Sequence, residues 1–395
     1  MLSIRVLGYS GADEATAMEA LALFLLPCIL TVASEVSAMR SSALTMGINY
    51  GRIADNLPPP PDAIRLIQSM GLGHVKIFDS NPEVLDALAY TGLQVVISVT
   101  NEELPIIASS QEVSDQWVDA HVNAHYPATL INVINVGNEV LSKSSNQTLW
   151  YQILPAMLNI YASLVKFNLQ QKIKVTTSSA MDVLGSSYPP SSGSFRDDIS
   201  IPVMQPILHF LTQTRSYFFL NVYPYLTWAA NKQDVPLPYA LLDSNAETVV
   251  QDGPLQYHDL LDAQLDAVAS AISKLGYPRL RIAISETGWP TRGDDGDEGA
   301  NADNARLYND RLVKKMLAYP PIGTPLRPQV FIPTYIFSLF NENMKPGPTV
   351  ERNWGILYPN GDAVYAVDLT RDAGYANVGA TAKAKNSSIS PTSRV

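Results

Sequence analysis

Cysteine is all but missing. The one thiol in 395 residues is Cys28, so the chain offers neither a disulfide framework nor a cysteine nucleophile. Charge is sparse too, at 16% of residues, and on balance acidic, with 27 Lys and Arg against 37 Asp and Glu. A net charge of −10 with no basic run to displace counterions from phosphates argues against a nucleic-acid partner and for a substrate that is neutral or whose charge is indifferent. Membrane-length apolar runs are missing as well. The block at residues 20–33 is too short to span a bilayer and is broken by Pro27.

That block has the size of a signal-peptide core, and Val36-Ser37-Ala38 follows it as a small-residue cleavage pattern, although Arg5 is the only base before it. Residues 1–38 are therefore expected to be a secretory leader, and the mature chain is expected to be extracellular and free of cysteine. Residues 376–395 turn to Ala, Ser, Thr, Lys and Asn, which predicts a flexible polar tail without the hydrophobic end of a lipid-anchor signal. In an exported chain Asn146-Gln147-Thr148 and Asn386-Ser387-Ser388 are glycosylation acceptors.

What is present is a globular composition, 46% hydrophobic, with 28 prolines and 22 glycines punctuating it. Apolar strand patterns begin near Ile48, Val75, Gln94, Leu130, Ile173, Tyr217, Leu280 and Val330, the last running over 330–340. Helical spacing separates them, over about 62–70, 82–90, 114–124, 151–167, 203–212, 259–275 and 304–318, with a long irregular stretch over 222–258. Eight such units in one domain, residues 39–375, are the count of a (β/α)8 TIM barrel. A doubly wound sheet would carry a glycine-rich phosphate turn after its first strand, and Gly51-Arg52-Ile53 is not one.

A barrel gathers its chemistry at the carboxyl ends of its strands. There the sequence places Asn135-Val136-Gly137-Asn138-Glu139, Asn221-Val222-Tyr223-Pro224-Tyr225, Ser285-Glu286-Thr287-Gly288-Trp289-Pro290 and Asn341-Glu342-Asn343-Met344-Lys345. Two glutamates on different strands are what glycosidic hydrolysis requires: one carboxyl protonates the leaving oxygen, and the other answers the positive charge at the anomeric carbon. Asn138 offers donor and acceptor to sugar hydroxyls. Tyr223, Tyr225, Trp228 and Trp289 offer ring faces, whereas Phe340 reads as core. Glu342 and Lys345 read equally as a surface pair or as site residues, the lysine keeping a neighbouring carboxylate ionised and Glu342 bonding a hydroxyl. His121 and His125 are four apart on a helix, but residue 122 is valine and no glutamate serves as base, so neither metal nor cofactor is expected.

With those motifs and Gly47-Ile48-Asn49-Tyr50-Gly51 in order, the chain over residues 46–369 resembles the plant β-1,3-glucanases of glycoside hydrolase family 17. The resemblance implies an open cleft across the barrel and endo-cleavage of β-1,3-glucan by a monomeric cell-wall enzyme. It also implies retention of anomeric configuration, with carboxyl groups about 5 to 5.5 Å apart. It assigns Glu139 as acid/base and Glu286 as nucleophile, with Tyr50, Asn138, Tyr223, Trp289, Glu342 and Lys345 as substrate contacts. Lys76 and Phe78 stand where many relatives carry Arg and Tyr, Trp228 where Tyr is common, and a C-terminal glucan-binding module or anchor is not expected. A glucan-binding wall protein without catalysis and a glucan transferase remain the other readings, and product sizing separates them.

Overall fold

The computed structural model describes residues 46–370 apart from 244 and 246. The expected leader at residues 1–38, its Cys28 and the expected tail at 376–395 lie outside the described residues. Eight parallel strands close a barrel: β1 (Gly47–Tyr50), β2 (His74–Ile77), β3 (Gln94–Val99), β4 (Leu130–Asn138), β5 (Lys174–Ala180), β6 (Phe218–Asn221), β7 (Ile282–Thr287) and β8 (Thr334–Ile336). Each pairs with its neighbours in sequence, and β8 returns to β1. Seven crossover helices join them: α1 (Pro60–Ser69), α2 (Pro82–Ala87), α3 (Gln111–Val118), α4 (Ile153–Lys166), α5 (Gln205–Gln213), α6 (Leu260–Lys274) and α7 (Ala302–Met316).

Local chemistry sets the boundaries. Asn81, Ser110, Asp259 and Asn301 cap the starts of α2, α3, α6 and α7 by accepting a backbone N–H with the side chain. The first helix starts at Pro60, two residues before the expected position, because proline has no N–H to lose in a first turn. Strands β4 and β5 run on to Asn138 and Ala180. The eighth is far shorter than the expected 330–340, for Pro333 cannot donate to a ladder and the chain beyond Ile336 leaves regular pairing. The stretch expected to be irregular holds a helix, Pro224–Ala230, and a hairpin of Val250–Asp252 with Leu255–Tyr257.

Apolar residues between barrel and helices form the main core, while Val96, Phe219, Ala283 and Tyr335 make a separate cluster inside the barrel. Above it the interior turns polar, with Asn49, Lys76, Ser98, Asn135, Ser178 and Ser285 all buried. Gly47 pairs with Tyr335 in the β1–β8 register, and a Cβ there would lie 2.3 Å from the tyrosine ring. Gly47→Ala is therefore expected to overpack the barrel and cost about 1–3 kcal/mol. Urea unfolding should show a lower midpoint at unchanged m-value.

Candidate active site

Glu286 belongs to β7, and strict alternation would point it away from the interior that its neighbour Ser285 faces. The ladder to β6 shifts register between Ile284 and Glu286, so that Glu286 pairs with Asn221, and this irregularity re-aims the carboxylate inward. Its Oε1 lies 2.8 Å from Lys76 Nζ, and Tyr223 donates to its Oε2 at 2.9 Å. Lys76 is 0% exposed and also donates to Ser285 Oγ at 2.7 Å. Ser178 completes the group, bonded to Ser285 Oγ at 2.9 Å and donating to Asn135 Oδ1 at 2.9 Å.

Glu139 follows the last residue of β4, where the ladder to β5 also shifts register and both Gly137 (φ 71°) and Glu139 (φ 54°) adopt left-handed backbone. A glutamate held there signals a position that the surroundings over-determine. Asn101 pins the preceding residue, accepting from Asn138 N at 2.8 Å and donating to Asn138 O at 3.0 Å. Asn221 Nδ2 donates to Glu139 Oε1 at 2.8 Å. Burial, and next the charge of Glu286, push the Glu139 carboxyl up to about 7, against the opposing pull of the Asn221 hydrogen bond and the Lys76 charge. Tyr223 is pushed well above its ordinary range, by burial first and by Glu286 second, so its hydroxyl stays a donor.

Both glutamates line one cavity of about 720 Å³, with Asn138, Tyr223, Glu342 and Lys345 also in its lining. Glu342 is buried, accepts from Ile53 N at 2.8 Å, and is raised above the ordinary carboxyl range mainly by that burial. Gly51 makes room for it, since a Cβ there would sit 2.4 Å from Glu342 Oε2. Tyr223, Phe337 and Trp354 supply the aromatic wall, the rings of Tyr223 and Trp354 being 5.0 Å apart, and Phe78 adds an apolar ring.

Some expected contacts are placed elsewhere. Trp289 is 0% exposed: its Nε1 donates to Gly299 O at 2.8 Å and its ring packs on Tyr225, Trp228 and Tyr308, so it buttresses the 293–303 loop and lies outside the cavity lining. Tyr225 and Trp228 are buried in the same stack, Tyr225 bonding Asp297. Tyr50 is 2% exposed, edge-on to Phe340, and is core. The lysine beside Glu286 is Lys76, whereas Lys345 pairs with Glu351 at 3.3 Å. His121 Nδ1 lies 3.2 Å from Ser80 O and His125 pairs with Asp86.

Among the residues not expected, Lys76 had a signal: a charged residue inside the apolar run Val75-Lys76-Ile77-Phe78 must find a buried partner. Asn221 opens the motif that contains Tyr223. Trp354 has no spacing signal, because a loop beyond β8 carries it to the cleft.

The sequence profile of glycosyl hydrolases family 17 matches residues 46–369. The chain is 48% identical over 332 residues to the probable glucan endo-1,3-beta-glucosidase A6 of Arabidopsis thaliana, covering 84% of this chain and 69% of that one. It is 40% identical over 327 residues to glucan endo-1,3-beta-glucosidase 11 of the same plant, covering 83% and 76%. Among solved structures it is similar to CJP38, a β-1,3-glucanase and allergen of Cryptomeria japonica pollen, with a TM-score of 0.78 and 41% identity over 82% of this chain and 99% of that one.

The Glu139 environment can be checked apart from any activity. Glu286→Gln removes the neighbouring negative charge and leaves Lys76 uncompensated, and both changes favour ionised Glu139. Its midpoint, followed by carbon-detected NMR titration, should fall below the value of about 7 expected for the unsubstituted protein.

Proposed function

The chain belongs to family 17 of the glycosyl hydrolases, and from that premise we propose that it cleaves β-1,3-glucosidic bonds inside β-glucan chains, with Glu139 as acid/base and Glu286 as nucleophile. The observation that carries this reading is the pair of carboxyls in one cavity with opposed surroundings. Glu139 meets a neutral amide and holds its proton to about pH 7, while Glu286 is ion-paired to buried Lys76.

A glucan chain lies along the cleft with sugar faces on Tyr223 and Trp354. Glu139 gives its proton to the glycosidic oxygen as that bond breaks, and Glu286 Oε bonds to the anomeric carbon. Glu139, now a carboxylate, takes a proton from water, whose oxygen joins the anomeric carbon and releases Glu286. Two inversions give net retention. Asn221 spends its Nδ2 on Glu139 and so fixes the direction of the acid, while its Oδ1 is buried without a partner among the described residues. Asn138 and Glu342 offer further acceptors in the same lining. The reading places a monomeric enzyme in the cell wall, where exposed Asn146 would carry a glycan.

Laminarin with product sizing and anomer detection by proton NMR is the test. The first products should be internal-cleavage oligosaccharides of β configuration, and chains longer than the substrate would indicate transfer instead. Glu286→Gln and Glu139→Gln should each lower kcat by at least about 100-fold, with the melting temperature little changed. Because the acid must be protonated, kcat/KM should fall as pH rises through about 7. Asn221→Ala removes a bond that favours the ionised form, so it should move that falling limb to higher pH.

A further inference from the structure

A net charge of −10 conceals one patch of the opposite sign. Parallel strands all begin at one end of a barrel, the end away from the cleft. There Lys174 opens β5, Arg215 precedes β6 and Arg281 precedes β7. Arg279, Arg281 and Arg327 line a single cavity of about 330 Å³, whose walls include Ile282 and Ile332. The Arg281 guanidinium lies 4.2 Å over the Tyr217 ring. Lys174 is lowered from the ordinary lysine range, by burial first and then by the charges of Arg215 and Arg281, which fits cations gathered closely.

Acidic residues outnumber basic ones in this chain, yet among the described residues Lys174, Arg215, Arg279 and Arg281 form no ion pair, whereas Arg327 interacts with Asp266 and donates to Leu280 O at 2.8 Å and Pro278 O at 3.1 Å. The one carboxylate in the cavity lining, Asp266, is buried and already accepts from Thr324 Oγ1 at 2.5 Å and Leu326 N at 2.7 Å. Arg215, Arg279 and Arg281 are exposed. The exposed guanidinium groups of Arg215, Arg279 and Arg281, spread over neighbouring strand ends without a carboxylate partner, call for a partner with repeated negative charge, and their planar forks match carboxylates as they match phosphates. The apolar wall of Ile282 and Ile332 adds a face on which a sugar ring can lie.

We propose that the N-terminal face of the barrel binds an anionic polysaccharide of the uronic-acid type, with Arg215, Arg279 and Arg281 as its main contacts. The acidic remainder of the protein turns this end toward the polymer. Since the cleft opens at the other end, the enzyme is held on an acidic polymer while a neutral glucan enters.

Biolayer interferometry on immobilised polygalacturonate tests this. The full chain should bind at low salt, not bind neutral dextran, and release at about 0.5 M salt, where screening shortens charge attraction to a few ångströms. Arg215→Gln with Arg279→Gln should weaken binding at least about tenfold, because charge-assisted bonds are lost. The double variant should keep wild-type laminarin hydrolysis and melting temperature. Lys166→Gln, which removes an exposed cation from α4, should bind as the parent does. Absence of binding, an undiminished double variant, or an equal loss in Lys166→Gln would overturn the proposal. So would binding to duplex DNA or anionic vesicles as tight as to polygalacturonate.

Discussion

The ion pair between Lys76 and Glu286 is the constraint around which the barrel interior is arranged. Both groups are buried, and withdrawing two charges from water costs several kcal/mol per ion, which a bare contact between them does not offset. The remaining donors and acceptors must be satisfied too. Ser285 takes a second ammonium proton, Ser178 links Ser285 to Asn135, and Tyr223 fills the other carboxylate oxygen. A layer that in a purely structural barrel would be branched aliphatics is given over to small polar residues. The apolar cluster of Val96, Phe219, Ala283 and Tyr335 lies apart from it, within the barrel.

Regular pairing alone would not build this layer. Consecutive residues of a strand face opposite ways, yet Ser285 and Glu286 both bond Lys76, which the register shift in β7 permits. The shift in β4, with left-handed Gly137 and Glu139, does the same for the second carboxyl. Non-glycine residues in that backbone region cost of order 1 kcal/mol or more. Every register shift in the ladders of the barrel thus involves one of the two strands that carry the glutamates.

That arrangement explains what could be read beforehand. Strand count, helix spacing and the strand-end motifs rest on periodicity and short-range chemistry, so the closed barrel and the meeting of Glu139, Glu286, Asn138 and Tyr223 at one cavity were legible in the sequence, while Glu342, equally readable as half of a surface pair, was put there by the family resemblance. Exposure was not. Trp289 and Tyr50 sit in motifs that reach the site, but whether a ring faces the cleft or the core depends on the loop packed behind it. For Trp289 that is the turn at Gly299, where a Cβ would lie 2.0 Å from the Trp228 ring. Lys76 and Trp354 join from residues far off in the chain, one through a strand on the opposite wall and one through a loop after β8. Only the lysine's misfit in an apolar run marks either.

Asn221 ties the two halves of the site together. It stands at the end of β6, between the strands of the two glutamates in the barrel order once β5 is counted, and its backbone pairs with Glu286 while its amide donates to Glu139. A displacement of either carboxyl is therefore felt at the same residue. An amide suits this place better than a charged group would. A cation there would favour ionised Glu139 and remove the proton that the proposed acid step needs near neutrality, and another carboxylate would add repulsion to a cavity already lined by Glu139, Asp182, Glu286, Glu342 and Glu351. A neutral donor orients Glu139 while opposing its raised titration only in part. Lys76 on one side and Asn221 on the other thus give two chemically identical side chains different surroundings.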